Sequence, residues 1–447
     1  MSIDAVHTPS VISSNLFQNV VVSAIFDVLL MFLSSIDSYA FQSHAIIVII
    51  IILYVMKRER VLLGALCALS AIVILLLFLQ PPRAPRELKS EGTHVNEPED
   101  DDNHMKQMEM KRRTRYPPRD NMGPCKPLFG TVGIFVAYVK SSMETHYAVA
   151  QRSLECYLKT VNYTVFMVDL DNDERVKVAC EKHKQLFFRK HCAAAAYLQD
   201  VDWMLVLDAD TGIANPNHCI EEWIDDRVNI IFYERFFNWE IASGNYIARN
   251  SPFTLQFLRK WADWEFIQPS NWNGADNGCL QMHILQTVLP GAIQEIRVCD
   301  HIWHQGKDYD TYMAYVTCIK IALGATRIWE NKLRVLRRGH GWVRDGFLTS
   351  DQFCDSDFML HGWKAQNVDI GGWQSPFKRI LDPSKCGNGY EGWEYREGKK
   401  TNVERIKTLL RDFERSTGRS YPQKARAIPY LTLPDIGDCY PHCDDFT

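Results

Sequence analysis

Three apolar runs rich in β-branched residues alternate with stretches of helical spacing in the middle of the chain. The apolar runs are TVGIFVAYV (131–139), YTVFMVDL (163–170) and WMLVL (203–207). Continuous runs of this kind are typical of strands that are buried on both faces, as in parallel sheets. Helical patterns lie next to them at 146–159, 173–184 and 190–199. The alternation predicts an α/β fold, a doubly wound mixed sheet flanked by helices, with a ligand site beyond the carboxyl ends of the strands.

The third run ends in Asp208-Ala209-Asp210. Two buried carboxylates without a partner would be costly, and a divalent cation removes that cost. Mg²⁺ and Mn²⁺ prefer oxygen ligands, often one or two carboxylates together with diphosphate oxygens. A D-x-D triplet alone is also common in solvated turns. Because this one follows a five-residue apolar strand, we expect Asp208 and Asp210 to bind a metal ion.

The segment LDADTGIANP (207–216), with Arg189-Lys190 upstream, resembles the D-x-D region of the GT-A superfamily of nucleotide-diphospho-sugar transferases. It resembles more closely a nematode family of transferase-like proteins known as a domain of unknown function. Three further segments agree in order, namely Ser243–Asn250, Gly274–Gly278 and Phe358–Lys364. The resemblance covers residues 126–385 and implies a GT-A-like, Rossmann-like catalytic domain.

The resemblance also implies roles for individual residues. Asp208 and Asp210 would bind the metal, His361 would be its third protein ligand, and Lys364 would contact the diphosphate. Asp276 would be the catalytic acidic residue that faces the sugar, as in the distantly similar yeast-type α-galactosyl and mannosyl transferases, which retain the anomeric configuration. The implied activity is a hexosyl transfer that depends on Mn²⁺ or Mg²⁺. The donor would be UDP- or GDP-linked, and the acceptor a glycan, glycoprotein or glycolipid.

Three more residues are candidates for donor binding. Gly244 would let the backbone approach the donor, Lys190 could touch a donor phosphate, and Asp169 at the end of the second strand could accept from uracil or ribose. Each candidate has a structural alternative. Lys190 and Lys364 could be surface lysines, His361 a turn histidine and Asp276 a helix N-cap. Some tryptophans could be sugar-stacking platforms, although most should be core: Trp239, Trp264, Trp272, Trp342, Trp363 and Trp373.

The N-terminal region predicts a membrane anchor. Residues 61–79 are nineteen predominantly apolar positions without a charge, enough helix to cross about 30 Å of hydrocarbon. Lys57–Arg60 lie just upstream, and positive residues tend to remain cytoplasmic, so the rest of the chain should be lumenal. Basic residues at 83, 86 and 89 weaken this asymmetry. A second apolar run at 39–56 could be another span.

The expected organisation therefore has five parts. Residues 1–38 form a cytoplasmic or weakly apolar segment, and 39–79 hold one or two transmembrane helices. Residues 80–124, rich in proline and charge, cannot bury enough apolar surface to fold and form a flexible stem. Residues 125–390 form the catalytic domain, and 391–447 a C-terminal extension. We expect a type II protein of the Golgi or endoplasmic reticulum membrane.

The charge and the cysteine content of the chain further limit its possible partners and the compartment in which it folds. With 50 basic and 54 acidic residues, the chain lacks the positive field that nucleic-acid binding requires, so a nucleic-acid partner is excluded. Twelve of the thirteen cysteines lie between Cys125 and Cys443, which fits an oxidising compartment, and their connectivity cannot be read from the sequence. The cysteines near the C-terminus could bind metal or form a disulfide. One glycosylation sequon occurs, Asn162-Tyr163-Thr164.

Two other interpretations of the function remain open from the sequence. Haloacid-dehalogenase-type phosphatases carry Asp-x-Asp-x-Thr, with the first aspartate as nucleophile, and Asp208–Thr211 is close to that pattern. Two strands precede the motif here, and Asp355-Ser356-Asp357 is only a partial match to the late paired aspartates of that class. The other reading is a catalytically inactive protein that binds a sugar or nucleotide-sugar. Tight UDP and Mn²⁺ binding without donor hydrolysis would distinguish it.

Overall fold

A computed structural model describes residues 124–364, 375–387, 389–420, 439–441 and 444. The expected spans within 39–79 and the expected stem at 80–123 lie outside the described residues. Within the described part, no helix combines the length and the hydropathy that crossing a bilayer requires.

The described residues form ten strands and nine α-helices. The strands are β1 Val132–Tyr138, β2 Thr164–Asp169, β3 Trp203–Leu207, β4 Thr211–Ile213, β5 Ile230–Tyr233, β6 Tyr246–Arg249, β7 Ile328–Trp329, β8 Leu333–Leu336, β9 Val343–Asp345 and β10 Met359–His361. The helices are α1 Lys140–His146, α2 Ala148–Leu158, α3 Glu174–Ala179, α4 Leu186–Tyr197, α5 Pro252–Asp263, α6 Ala275–Val288, α7 Ile293–His304, α8 Tyr309–Leu323 and α9 Val403–Ser420.

Seven strands form the main sheet in the order β2-β1-β3-β6-β5-β8-β7. Strands β1, β2 and β3 are parallel, as predicted, whereas β6 is antiparallel to both β3 and β5. Side chains alternate along each strand, so Met204 and Val206 of β3 enter one core cluster while Leu205 and Leu207 enter the other. Both faces of the sheet are therefore covered, and the prediction of a mixed sheet flanked by helices is confirmed.

Three local predictions need correction. The second strand was expected to be buried on both faces, but β2 is an edge strand and Thr164 and Met167 are exposed, because β1 is the only described strand that pairs with it. The helix that was expected to begin at Lys190 already begins at Leu186, since Phe187 and Phe188 belong to its first turn. The preceding helix, α3, ends at Ala179 rather than near residue 184.

A second, smaller sheet has the order β4-β10-β9 and was not predicted. Strand β10 pairs antiparallel with β4 and parallel with β9. In this register His361 lies opposite Thr211 on one side and opposite Asp345 on the other. The small sheet therefore brings the late histidine segment next to the turn that follows β3.

Disulfides and a third, smaller hydrophobic cluster link segments that are distant in the sequence. Four disulfides join described residues: Cys125–Cys219, Cys156–Cys386, Cys180–Cys192 and Cys299–Cys318. Cys439 is disulfide-bonded as well, so it supplies no thiolate to a metal site near the C-terminus. Helix α9 buries Ile406 and Leu410 against Phe236 and Leu348. The described part of the C-terminal extension thus packs on the preceding α/β region.

Candidate metal and donor site

The Asp-Ala-Asp turn follows β3 directly and is fixed by backbone hydrogen bonds. The amide of Thr211 donates to the carbonyl oxygen of Asp208 at 2.9 Å, which closes the turn. The amide of Asp208 donates to Oδ1 of Asn245 at 2.9 Å, and Asn245 immediately precedes β6. Asp210 is buried, whereas the side chain of Asp208 keeps 31% of its surface exposed. The two carboxylates therefore lie on a rigid turn at the carboxyl edge of the sheet.

His361 faces both carboxylates. Its Nε2 is 3.3 Å from Oδ1 of Asp210 and 3.7 Å from Oδ2 of Asp208. The amides of Gly362 and Trp363 both donate to the carbonyl oxygen of Asp210, at 3.1 and 2.9 Å. One possible ligand atom from each of Asp208, Asp210 and His361 lies within 4.8 Å of the others. The structure thus brings together the three residues that the sequence suggested as metal ligands.

Asp345 lies behind the imidazole, at the end of β9. Its Oδ1 is 2.8 Å from Nδ1 of His361 and 3.1 Å from a guanidinium nitrogen of Arg235. A carboxylate on the second nitrogen of a metal-binding histidine fixes the tautomer and the orientation of the ring. Nδ1 then carries the proton, and Nε2 is left to face Asp208 and Asp210. Sequence reasoning missed Asp345 because no recognisable motif surrounds it.

The negative charges around the imidazole of His361 favour a bound cation. Burial alone would lower the pKa of His361, but Asp210, Asp208 and Asp345 outweigh it and hold the pKa well above its usual value. Burial likewise would raise the pKa of Asp208, yet Lys190 and His361 hold it well below its usual value. Imidazole binds metal in its neutral form, so a divalent ion would take the place of the second imidazole proton. Two carboxylates and an imidazole nitrogen suit Mn²⁺ or Mg²⁺.

Gly244 leaves room for the Asp208 carboxylate. A Cβ atom at this position would lie 2.0 Å from Oδ2 and 2.8 Å from Cγ of Asp208. No side chain fits there unless the carboxylate moves. The structure shows that the backbone at Gly244 closely approaches a metal-ligand candidate, and its approach to the donor remains a prediction.

Lys190 bridges the metal-ligand candidates and the predicted sugar-facing residue. Its Nζ is 2.8 Å from Oδ1 of Asp208 and 3.9 Å from Oδ2 of Asp276. Burial lowers its pKa, but the two carboxylates outweigh burial and raise the pKa above its usual value. Lys190 is therefore a buried, charged lysine, and the alternative of a surface lysine does not hold.

His191, which sequence reasoning missed, positions Asp276. Its Nε2 is 3.1 Å from Oδ2 of Asp276, its Nδ1 is 3.2 Å from the hydroxyl of Tyr246, and its ring stacks on Trp261 with centroids 3.5 Å apart. Burial lowers the pKa of His191 to about 4, so the ring is neutral. The pKa of Asp276 lies below its usual value because His191 and Lys190 outweigh burial, so the ionised carboxylate accepts from Nε2–H. Nδ1 then accepts from the tyrosine hydroxyl.

Asp276 does not cap its own helix. The N-cap position of α6 belongs to Gly274, so the alternative of an aspartate N-cap is wrong. Oδ2 of Asp276 is held by His191, whereas Oδ1 has no hydrogen-bond partner among the described residues. One oxygen of this ionised carboxylate is therefore available to a ligand.

The other candidates occupy different places. Nζ of Lys364 is 3.5 Å from Oδ2 of Asp210, and its side chain is 40% exposed. The side chain of Asp169 stabilises the turn after β2, because it accepts hydrogen bonds from the amide of Asp171 and from Nδ2 of Asn172. It lies at the carboxyl end of β2, two strands from β3, and the structure does not bring it into contact with the acidic cluster. Its role in donor binding remains a prediction.

Two further features of the surroundings bear on the site. Burial raises the pKa of Tyr147, and the negative charge of Asp210 adds to this effect, so a half-buried phenol that the sequence did not suggest lies in the electrostatic field of the acidic cluster.

Of the tryptophans that were considered as sugar platforms, Trp373 lies outside the described residues and Trp272 is 45% exposed. The other four are buried core residues: Trp239, Trp264, Trp342 and Trp363.

A family described as "Protein of unknown function, DUF273" matches residues 154–371, which include every site residue discussed above except Tyr147. No curated protein matches the chain. The chain is similar to the crystal structure of a glycosyltransferase involved in the glycosylation of the major capsid of PBCV-1. That similarity has 19% identity and a TM-score of 0.24, over 30% of this chain and 67% of the other.

The chain is also similar to a mannosyltransferase from Pyrobaculum calidifontis in complex with GDP-Man and Mn²⁺. Identity is 10% and the TM-score is 0.23, over 49% of this chain and 77% of that one.

Proposed function

We propose that this chain is a metal-dependent glycosyltransferase with a GT-A-like fold. It transfers a sugar from a nucleotide-diphospho-sugar to a glycan, glycoprotein or glycolipid. The observation that carries the proposal is the cluster of Asp208, Asp210 and His361, whose ligand atoms lie within 4.8 Å of one another at the carboxyl edge of an α/β sheet. Lysines contact both carboxylates of this cluster, so cationic groups surround the place where a diphosphate would lie.

In this proposal the three clustered residues hold Mn²⁺ or Mg²⁺. Such an ion, when bound, neutralises the negative charge that grows on the departing diphosphate. Asp345 keeps the imidazole of His361 oriented toward the ion through the 2.8 Å contact with Nδ1. The backbone that carries the two carboxylates is fixed by the turn between Asp208 and Thr211. The amides of residues 362 and 363 also fix it by donating to the carbonyl oxygen of Asp210.

The two lysines have different tasks. Lys364 is partly exposed and is 3.5 Å from Asp210, so its ammonium group can turn from that carboxylate toward a phosphate oxygen. Lys190 is buried and keeps Asp208 ionised and oriented. A UDP- or GDP-linked donor supplies the diphosphate that these groups recognise. We place Asp169 at the nucleoside end because ligands of such sheets bind beyond the carboxyl ends of the parallel strands.

Asp276 lines the pocket of the donor sugar. His191 holds one carboxylate oxygen, the other has no hydrogen-bond partner among the residues that the structure describes, and Lys190 lies between Asp276 and Asp208. The carboxylate is therefore ionised, rigid and adjacent to the metal-ligand candidates. We propose that it orients the sugar and stabilises positive charge that develops at the anomeric carbon. Retention of the anomeric configuration is proposed from the resemblance to retaining transferases.

We further propose that the domain lies in the lumen of the Golgi or the endoplasmic reticulum, anchored by residues 61–79. Four disulfides support an oxidising compartment. The uncharged apolar run and the basic residues before it support an anchor with this orientation.

The test is donor cleavage by the full chain with a panel of UDP- and GDP-sugars, with and without Mn²⁺. Asp210→Asn keeps the side-chain volume and removes one charged ligand, so we expect the metal-dependent cleavage to be lost. Asp355→Asn is the matched control, because it makes the same change at an aspartate whose side chain is 82% exposed and pairs with Lys400. Circular dichroism establishes that both variants are folded.

Each outcome of this experiment is informative. Wild-type rates in Asp210→Asn would contradict the proposed metal site. Tight UDP and Mn²⁺ binding by the wild-type chain without cleavage of any donor would instead indicate a non-catalytic nucleotide-sugar binding protein. Release of phosphate from simple phosphate esters, with no need for a nucleotide-sugar, would favour the phosphatase alternative.

A further inference from the structure

We propose that Asn162 carries an N-linked glycan. Asn162-Tyr163-Thr164 is the only Asn-x-Ser/Thr triplet with x other than proline in the 447 residues. One such triplet in a chain of this length also arises by chance. The structure adds three observations that support glycosylation of this triplet. They are the exposure of its side chains, its position in the fold and the disulfides of the chain.

The sequon is presented toward solvent by its own middle residue. The hydroxyl of Tyr163 lies 2.5 Å from Oε2 of Glu221 and accepts a hydrogen bond from the amide of Ile220 at 3.0 Å. These contacts hold the side chain of Tyr163 against the protein, whereas Asn162 and Thr164 on either side of it are exposed. The acceptor amide and the hydroxyl that the glycosylation machinery reads are therefore both accessible from solvent.

The fold has room for a glycan at this place. Asn162 lies in the connection between α2 and β2, and β2 is an edge strand that pairs, within the described part of the chain, with β1 alone. Strand β2 runs parallel to β1 and β3, so its first residues are at the edge of the sheet opposite the acidic turn. At roughly 3.3 Å per residue, the five steps from Thr164, the last residue of the sequon, to Asp169 at the carboxyl end of β2 span about 17 Å. A glycan on Asn162 therefore leaves the donor site open.

The chain also has the chemistry of the compartment in which this modification occurs. Eight described cysteines form four disulfides, among them Cys180–Cys192 and Cys299–Cys318, whose sulfurs are joined within the folded core. Disulfides persist in the oxidising lumen and not in the reducing cytosol. In the modification, Nδ2 of Asn162 bonds to the anomeric carbon of an oligosaccharide as the bond from that carbon to a lipid-linked diphosphate breaks. The amide loses one proton, and the lipid diphosphate leaves.

The test uses the full chain with a C-terminal tag, produced in a eukaryotic secretory cell line. We expect treatment with a peptide N-glycosidase to increase the gel mobility of the wild-type chain by one glycan. Asn162→Gln and Thr164→Ala should run at the deglycosylated position before treatment, whereas Thr164→Ser keeps the hydroxyl and should keep the shift. Asn217→Gln is a matched control: it removes an asparagine from an Asn-x-Cys triplet whose cysteine, Cys219, is disulfide-bonded.

A wild-type chain with no mobility change after treatment would overturn the proposal, as would a shift that persists in Thr164→Ala. If Asn162→Gln fails to fold, the pair Thr164→Ala and Thr164→Ser still decides, because only the hydroxyl distinguishes them. We also expect donor cleavage by Asn162→Gln to equal that of the wild type, given the separation from the acidic turn. The mobility shift does not depend on donor cleavage, so this proposal and the proposed enzymatic function can fail separately.

Discussion

Replacing Gly244 by alanine should disable the metal site while leaving the fold intact. The new Cβ would lie 2.0 Å from Oδ2 of Asp208, and ordinary contacts begin at 3.4 Å. The difference, 3.4 minus 2.0, means that the carboxylate oxygen must move by about 1.4 Å. The backbone at Gly244 is outside the left-handed region, so alanine introduces no strain of its own there.

The carboxylate cannot make this movement and still serve the site. Lys190 holds its Oδ1 at 2.8 Å, and Asn245 holds the backbone amide of Asp208 at 2.9 Å. Metal–ligand distances tolerate about 0.2 Å. Displacement by several times that amount removes Asp208 from the ligand set. We expect the Mn²⁺ affinity to fall by about 10–100-fold or more. A loss in that range is found when only a residue that hydrogen-bonds to a metal ligand is removed, and here a ligand itself is displaced. Donor cleavage should fall by about 10²–10³, as for the loss of one electrostatic contact to a transition state.

Calorimetric titration with Mn²⁺ and donor-cleavage rates measure both effects. Gly291→Ala is the matched control, because a Cβ at Gly291 would meet nothing within 4 Å. We expect the control to behave as the wild type and both variants to have near wild-type melting temperatures. A Gly244→Ala variant that binds Mn²⁺ with wild-type affinity would refute the reasoning, since it would mean that the Asp208 carboxylate does not bind the ion in the position described.

Three further predictions follow from named contacts. Asp345→Asn keeps the volume but removes the charge behind the imidazole ligand, so Mn²⁺ affinity measured by titration should fall about 10–100-fold; unchanged affinity would contradict this. Burial raises the pKa of Asp351 to about 7, so its stabilising contribution is complete below about pH 4 and is lost as the pH rises through about 7. Asp351→Asn should therefore flatten the decline of the urea midpoint between these values, and an unchanged slope would count against it. The double variant Cys180→Ser with Cys192→Ser opens a disulfide of sequence separation 12, which should lower the free energy of unfolding by up to about 3 kcal/mol in urea denaturation; an equal stability would contradict it.

The central part of the fold could be predicted because its signals are long. The strands β1 and β3 are runs of five or more apolar residues, β2 contains four in succession, and the sheet pairs all three in parallel. Asp208 and Asp210 could be suggested as a site because they follow the last of these strands directly. The burial of β2 was wrongly predicted, because an edge strand and a central strand can have equally apolar sequences when neighbouring loops cover part of the surface.

The remainder of the site could not be predicted from patterns of this kind. Strands β9 and β10 have three residues each, too few for any periodicity to show, yet they place Asp345 and His361 side by side. His361 was suggested only through a family resemblance. His191 lies in a helix that is otherwise typical of an apolar core element, and its role depends on Asp276 and Tyr246, which come from distant parts of the chain. Only tertiary structure reveals such partnerships.

The pairing of β10 with β4 also has a consequence for how the protein comes into being. His361 follows Asp208 by 153 residues, so most of the domain is synthesised between the first two ligand candidates and the third. A growing or prematurely terminated chain that stops before β10 has the acidic turn but no imidazole opposite it. The three ligand candidates therefore come together only after β10 has been synthesised, and sugar transfer of the proposed kind would be confined to chains that extend beyond this strand.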